Sequence, residues 1–308
     1  MMIFQILTDI ILPVFMLIGV GVLADRFLPL DLGTIARLSF YIFITATAFI
    51  KLLDSRLDPL HFGVVTAFAL IHMFVLMGVG WWVFKIPFLR DQHAMLVMST
   101  VFFNSGNFGI PFAQLAFGDA GANVMTILLT VQIIANFTIG LWLVGVGKGG
   151  WKELVQAFLK SPVIYTIAVA LLLKALRIPL PGPLYQSASY LAGGLIPVAL
   201  LALGVQLSRS HAFGQLQPLT AITLARLVFS PLLALGMVAV APVFGAAIAD
   251  PIRELGPILV TSMGLPVAVN VYILSSEYGQ DPELASRAIF WTTLFSAFTL
   301  TFWLVAVR

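Results

Sequence analysis

The chain reads as an all-α polytopic membrane protein, with ten transmembrane helices in a five-plus-five inverted repeat. Three observations carry that reading. Of 308 residues, 60% are apolar and only 9% charged, with a mean hydropathy of +1.06, whereas a soluble domain is about a quarter charged. Apolar runs occupy nearly the whole length, each suited to a hydrocarbon core roughly 30 Å thick. Two of these runs are interrupted, by Asn104-Ser-Gly-Asn107-Phe-Gly109-Ile-Pro111 and by Gly264-Leu-Pro266 followed by Asn270.

In chain order the runs lie at about 5 to 24, 34 to 53, 62 to 84, 93 to 117 and 122 to 146. Five more follow at about 159 to 176, 185 to 207, 217 to 241, 254 to 276 and 284 to 307. The first begins after Met1-Met-Ile-Phe-Gln, which has no basic region and no small-residue cleavage pattern, so it reads as an uncleaved span. The divider is the glycine-rich, basic stretch Gly147-Lys148-Gly-Gly-Trp151-Lys152-Glu153. The halves are therefore 1–146 and 159–308, joined by a linker at 147–158. An odd number of spans per half forces the copies into opposite orientations. Both interruptions then fall in the fourth span of their half, with Gly109-Ile110-Pro111 matching Gly264-Leu265-Pro266. Nine loop cations against six place the linker in the cytoplasm and both termini outside. Trp81, Trp82, Trp151 and Trp303 sit near span ends, where interfacial anchors belong.

Composition also excludes. With no cysteine there are no disulfides, no thiol catalysis and no thiolate metal site. A net charge of +3 is spread over loops and implies no nucleic-acid partner. No zinc-binding His-Glu spacing, phosphate-cradling loop or Ser-His-Asp arrangement is present, so an enzyme is not expected.

Proline and glycine free backbone groups from the helical ladder, and in hydrocarbon such a break persists only where protein or a polar cavity receives it. Two breaks in matching positions are the sequence pointer to a transporter's binding site. Asn104, Asn107, Pro111 and Gln114 follow helical spacing on one face. Their amides, with Asn270 from the other half, offer donors for a carboxylate without a fixed charge. A half-helix starting near Pro111 would add its positive end, about half an elementary charge. Amides of this kind also hydrogen-bond between packed helices, with glycines allowing close approach. Gln206, at the end of the seventh span, is a candidate for the same cavity.

Arg226 lies about nine residues into the eighth span. A cation at that depth wants an anionic substrate, a carboxylate, or a helix C-terminus. No Asp or Glu falls in the middle of a span, which argues against coupling through a buried carboxylate pair. His72 titrates near neutrality but reads better as a hydrogen-bonded packing residue.

These residues resemble the auxin efflux carrier family, the bacterial relatives of plant PIN carriers. Asn104 to Pro111 is similar to the plant Asn-Thr-Leu-Val-X-Gly-X-Pro stretch. Pro266, Glu277-Tyr278, Pro282 and Ala285-Ser286 follow the family's ninth-span proline and the start of its tenth span. Ser161-Pro162 and Pro197 to Gly204 fit as well. The chain departs at Thr45 and Val271, where relatives carry prolines. The resemblance implies the fold of bile-acid sodium symporters, with spans four and nine crossing at Pro111 and Pro266. Spans one, two, six and seven would form a scaffold, often dimeric, beside a moving transport unit in a bacterial inner membrane. Asn104 would be a substrate ligand.

The expected function is thus secondary transport of a small organic anion, a dicarboxylate or an auxin-like acid. No cofactor is expected, and proton or sodium coupling stays open. A sodium-coupled bile-acid-type symporter and a non-transporting sensor or scaffold are the alternatives.

Overall fold

The computed structural model describes residues 2–28, 30–54, 59–85, 89, 92–144, 162–209 and 214–307. The linker at 147–158, with Trp151, lies outside these described residues. The described elements are α1 (Ile3–Phe27), α2 (Leu32–Asp54), α3 (Pro59–Val83), α4 (His93–Val101), α5 (Ser105–Leu143) and α6 (Pro162–Ala175). They continue with α7 (Gly182–Ser208), α8 (Leu216–Phe244), α9 (Ala246–Met263), α10 (Val269–Glu277) and α11 (Pro282–Ala306). Seven of them, α1, α2, α3, α5, α7, α8 and α11, are long and apolar enough to cross a membrane.

Local chemistry sets the helix starts. The Asp31 carboxylate accepts from the Thr34 N–H at 3.0 Å to open α2, and Asp281 accepts from the Leu284 N–H at 2.9 Å to open α11. Each satisfies a first-turn amide that has no helical acceptor. Pro282 follows its cap directly, where a missing N–H costs nothing.

At 39 residues α5 is too long for one straight crossing. Gly118, with φ of 64° and ψ of −148°, turns the chain back, a conformation that glycine adopts without strain. A Cβ at Gly109 would lie 2.9 Å from the Met125 sulfur, and one at Gly121 would lie 2.4 Å from the Ala113 carbonyl. Residues sixteen apart meet only if the two arms run antiparallel, so α5 supplies both the end of the fourth apolar run and most of the fifth.

Three sequence expectations shift. The helix expected from about 254 begins at Ala246, because the polar residues around Asp250 lower hydropathy without breaking the helix. The first interruption occupies 102–104, and helix resumes at Ser105 rather than near Pro111. Pro111 sits beyond a wide π-type turn, Ser105–Gly109, whose looser bonding accommodates the missing N–H. Trp303 is no interfacial anchor: it is 4% exposed, and its indole N–H donates to the Leu227 carbonyl at 2.9 Å.

Polar contacts sort the helices into two groups. In the first, Gly21 of α1 meets Gly204 of α7 backbone to backbone, and Thr47 of α2 donates to the Ala192 carbonyl of α7 at 3.3 Å. Lys174 of α6 reaches the Leu52 carbonyl of α2 at 3.1 Å, and Tyr185 of α7 donates to Asp54 at 2.7 Å. In the second, His72 joins α3 to α8, Trp303 joins α11 to α8, and the Val267 N–H donates to Thr292 of α11 at 3.1 Å.

Candidate functional site

The two interruptions meet. Residues 102–104 and 264–268 pass each other antiparallel, with Phe103 opposite Val267. The Asn104 N–H donates to the Pro266 carbonyl at 2.8 Å, and the Ala268 N–H to the Phe102 carbonyl at 3.0 Å. Each break supplies the partners the other lacks, which is how unwound backbone survives where water is absent. Four helix ends converge there: the C-termini of α4 and α9 and the N-termini of α5 and α10.

Both N-termini face one cavity of about 130 Å³. Asn104, Ser105, Gly106 and Asn107 border it from α5, and Ala268, Val269 and Asn270 from α10. First-turn amides at helix starts have no intrahelical acceptors and carry the positive end of the dipole, so two of them favour an anion. Asn104 is 4% exposed; its Oδ1 accepts from the Phe108 N–H at 3.3 Å, which leaves its buried Nδ2 without a partner. The wall is completed by Ala36 and Ile44 of α2 and by Leu129, Gln132, Ile133 and Asn136 of α5. Gln132 and Asn136 were not singled out from the sequence, although their i, i+4 spacing on an apolar span puts two amides on one face. Each is 5% exposed, and Gln132 Oε1 and Asn136 Oδ1 have no partner. Among the described residues, no Asp, Glu, Lys, Arg or His lines the cavity.

The expected site residues therefore divide. Asn104, Asn107 and Asn270 border the cavity. Gly109 and Pro111 are buried packing residues in the turn behind it, where a Cβ on Gly109 would come within 3.0 Å of Leu265. Pro266 contributes its carbonyl to the backbone pairing, and Gly264 ends α9 beside Trp303. Three residues lie elsewhere. Gln114 borders a separate cleft of about 290 Å³, where it accepts from Lys51 at 2.9 Å and donates to Asp119 at 3.2 Å. Gln206 is not part of the crossover wall, because it lies two residues beyond the α7–α1 contact at Gly204. Arg226 is fully buried and does not border the cavity.

Arg226 serves the opposite helix ends. Its guanidinium donates to the Thr100 carbonyl of α4 at 2.6 Å, to the Met263 carbonyl of α9, and to the Ser230 hydroxyl at 2.7 Å. Thr100 and Met263 stand in the last turns of α4 and α9, where carbonyls lack helical donors and the dipole is negative. The planar fork reaches both carbonyls at once. Phe103 borders both the cation, at 5.3 Å from its ring centroid, and the cavity. His72 completes this layer: its Nε2 lies 2.9 Å from the Ser230 carbonyl, and its ring stacks on Phe68 at 6.5 Å.

The crossover thus has a positive face of helix N-termini towards the cavity and a buried cation behind its negative ends. Such a site can hold a small anion through neutral donors and release it again.

Comparison with known proteins adds the family. A profile described as membrane transport protein matches residues 6–304. A Rhizobium meliloti protein described as "Putative malonate transporter" is 27% identical over 322 residues, covering 98% of this chain and 96% of that one. An uncharacterized transporter of Methanocaldococcus jannaschii is 26% identical over 70% of this chain and 69% of its own length. One of Methanothermobacter thermautotrophicus is 24% identical over 69% and 67% respectively.

Proposed function

The chain belongs to the membrane transport protein family, and from that premise we propose that it is a secondary transporter of a small organic acid, held at the crossover cavity. The observation that carries the reading is the convergence of two half-helix N-termini and Asn104, with its unpartnered Nδ2, on one cavity that no charged side chain among the described residues lines. Neutral donors suit turnover, because a carboxylate locked to a fixed buried charge would leave slowly.

Size narrows the substrate. An engineered cavity of about 150 Å³ holds benzene, so the 130 Å³ here has room for a three- or four-carbon acid. The relative named for malonate is consistent with that size class. In this reading the ten apolar segments form the inverted repeat, with α4 and the first arm of α5 as one broken span and α9 with α10 as its counterpart. Alternating access would come from the α3–α5 and α8–α11 group moving against α1, α2, α6 and α7. Ala36, an exposed wall residue, marks the open mouth, which faces the cytoplasm if both termini are outside.

The test is a thermal shift of the purified protein with malonate and related acids. A ligand that binds only the folded state raises its stability with occupancy. Malonate should shift the wild type, and Asn104→Ala should lose the shift. A variant that shifts as fully as the wild type would place the ligand elsewhere.

A further inference from the structure

The cavity offers more than anion donors, and the surplus specifies a second feature of its ligand. Asn136 donates its Nδ2 to the Gln132 backbone carbonyl at 2.8 Å. That bond fixes the amide's orientation, since a flipped amide would set oxygen against oxygen. Its Oδ1 is therefore an acceptor, buried and without a partner, on a residue of the cavity wall. Asn104 is fixed in the opposite sense by its bond from the Phe108 N–H, so its Nδ2 is a donor. Gln132 Oε1 adds another unpartnered acceptor. A buried polar atom without a partner is destabilising. A bare carboxylate, which only accepts, satisfies Asn104 and the helix ends and leaves Asn136 unmet.

We propose that this site selects acids carrying a carboxylate together with a hydrogen-bond donor: a hydroxy acid, or a dicarboxylic acid with one carboxyl still protonated. The inference rests on the crossover cavity as the substrate site. The carboxylate lies at Asn104 and the two helix N-termini, and the O–H donates to Asn136 Oδ1. A dicarboxylate then crosses as its monoanion and brings its own proton, so proton movement needs no titrating side chain in the wall. Among the described residues, the wall elements α2, α5, α10 and the paired strands present no titratable group to the cavity. The nearby charges are Arg226, behind Phe103, and Arg37, an exposed neighbour of Ala36 that lies 4.0 Å from Asp31.

The wild-type protein tests this with ligands matched in size and charge. Malonamate and monomethyl malonate are both monoanions, but only the amide donates; lactate and propionate form a second such pair. Calorimetry should show malonamate and lactate binding about tenfold more tightly than their partners, because a site built for a donor rejects the analogue lacking it. Malonate affinity should rise at least about tenfold from about pH 7.5 to about pH 5.5 as the acid takes up its first proton, while malonamate affinity stays flat. Asn136→Leu should abolish the preference within each pair, the loss falling on malonamate and lactate. Equal binding within both pairs, a malonate affinity that is flat or rises with pH, or sodium-dependent binding without donor preference would overturn the proposal. Carboxylate binding without that preference overturns only this selectivity; absence of any carboxylate binding overturns the transport site itself.

Discussion

Arg226 carries a full charge into a fully buried position where its partners among the described residues are carbonyls and a hydroxyl, not a carboxylate. Two helix C-termini, each worth about half a negative charge, together offset about one unit. The residue is thus a counter-charge for the crossover, and its removal should damage folding more than binding. Arg226→Met orphans the Thr100 carbonyl, leaves the Met263 carbonyl to the Ser230 hydroxyl alone, and should cost about 1–3 kcal/mol. Arg226→Lys, which keeps the charge but not the fork, should fall between. Denaturation midpoints of both variants in detergent check this; midpoints equal to the wild type would remove Arg226 from that role. From the sequence, the depth of Arg226 is legible but its partners are not, because backbone carbonyls belong to no residue type. Asn104, Asn107 and Asn270 are legible because they stand beside glycine and proline in apolar runs. Gln132 and Asn136 lack such punctuation, and pass as ordinary interhelical amides.

Among the elements, α1 and α7 make the closest approach. A Cβ at Gly204 would lie 2.1 Å from the Ile18 carbonyl, and one at Gly21 would lie 2.3 Å from the Leu201 carbonyl. Backbone, unlike a side-chain tip, cannot swing away. Gly204→Ala should therefore force the helices apart and cost about 1–3 kcal/mol. Gly19→Ala, with nothing within 4 Å of the added carbon, should be neutral or slightly stabilising. A Gly204→Ala midpoint no lower than that of Gly19→Ala would contradict the close contact. Hydropathy located the broken helices but not where they restart. Apolar residues such as Phe102 and Phe103 are as common in helix as out of it, so the extended stretch reads as more span, and the conspicuous Gly-Ile-Pro lies a turn too late.

Across the whole molecule, one described ion pair joins the two helix groups: Lys51 of α2 to Asp119 of α5 at 2.8 Å, with Gln114 beside it. It stands at the end of α2 opposite Ala36, over the cleft bordered by Thr47, Ile110 and Ser189. Exposed ion pairs contribute little to stability, about 0–1 kcal/mol, yet that is enough to bias two arrangements of similar energy. Asp119→Asn should favour the arrangement open on the Lys51 side. Because the chain has no native cysteine, Ser189→Cys is a clean reporter, and its alkylation should speed several-fold in Asp119→Asn. An unchanged rate would mean that the pair does not hold the cleft shut.

The two backbone bonds between residues 102–104 and 264–268 act as a clasp. Prising the halves apart at the cavity would strand amides and carbonyls in a medium with no water to take them up. On the proposed mechanism the pocket floor would consequently travel as a single piece. Ala36 and Ile44 of α2 belong to the other group of helices, and in that mechanism they would form the panel that slides away without tearing the backbone pairing. A passenger would then be released by drawing that panel aside while the clasp stays fastened.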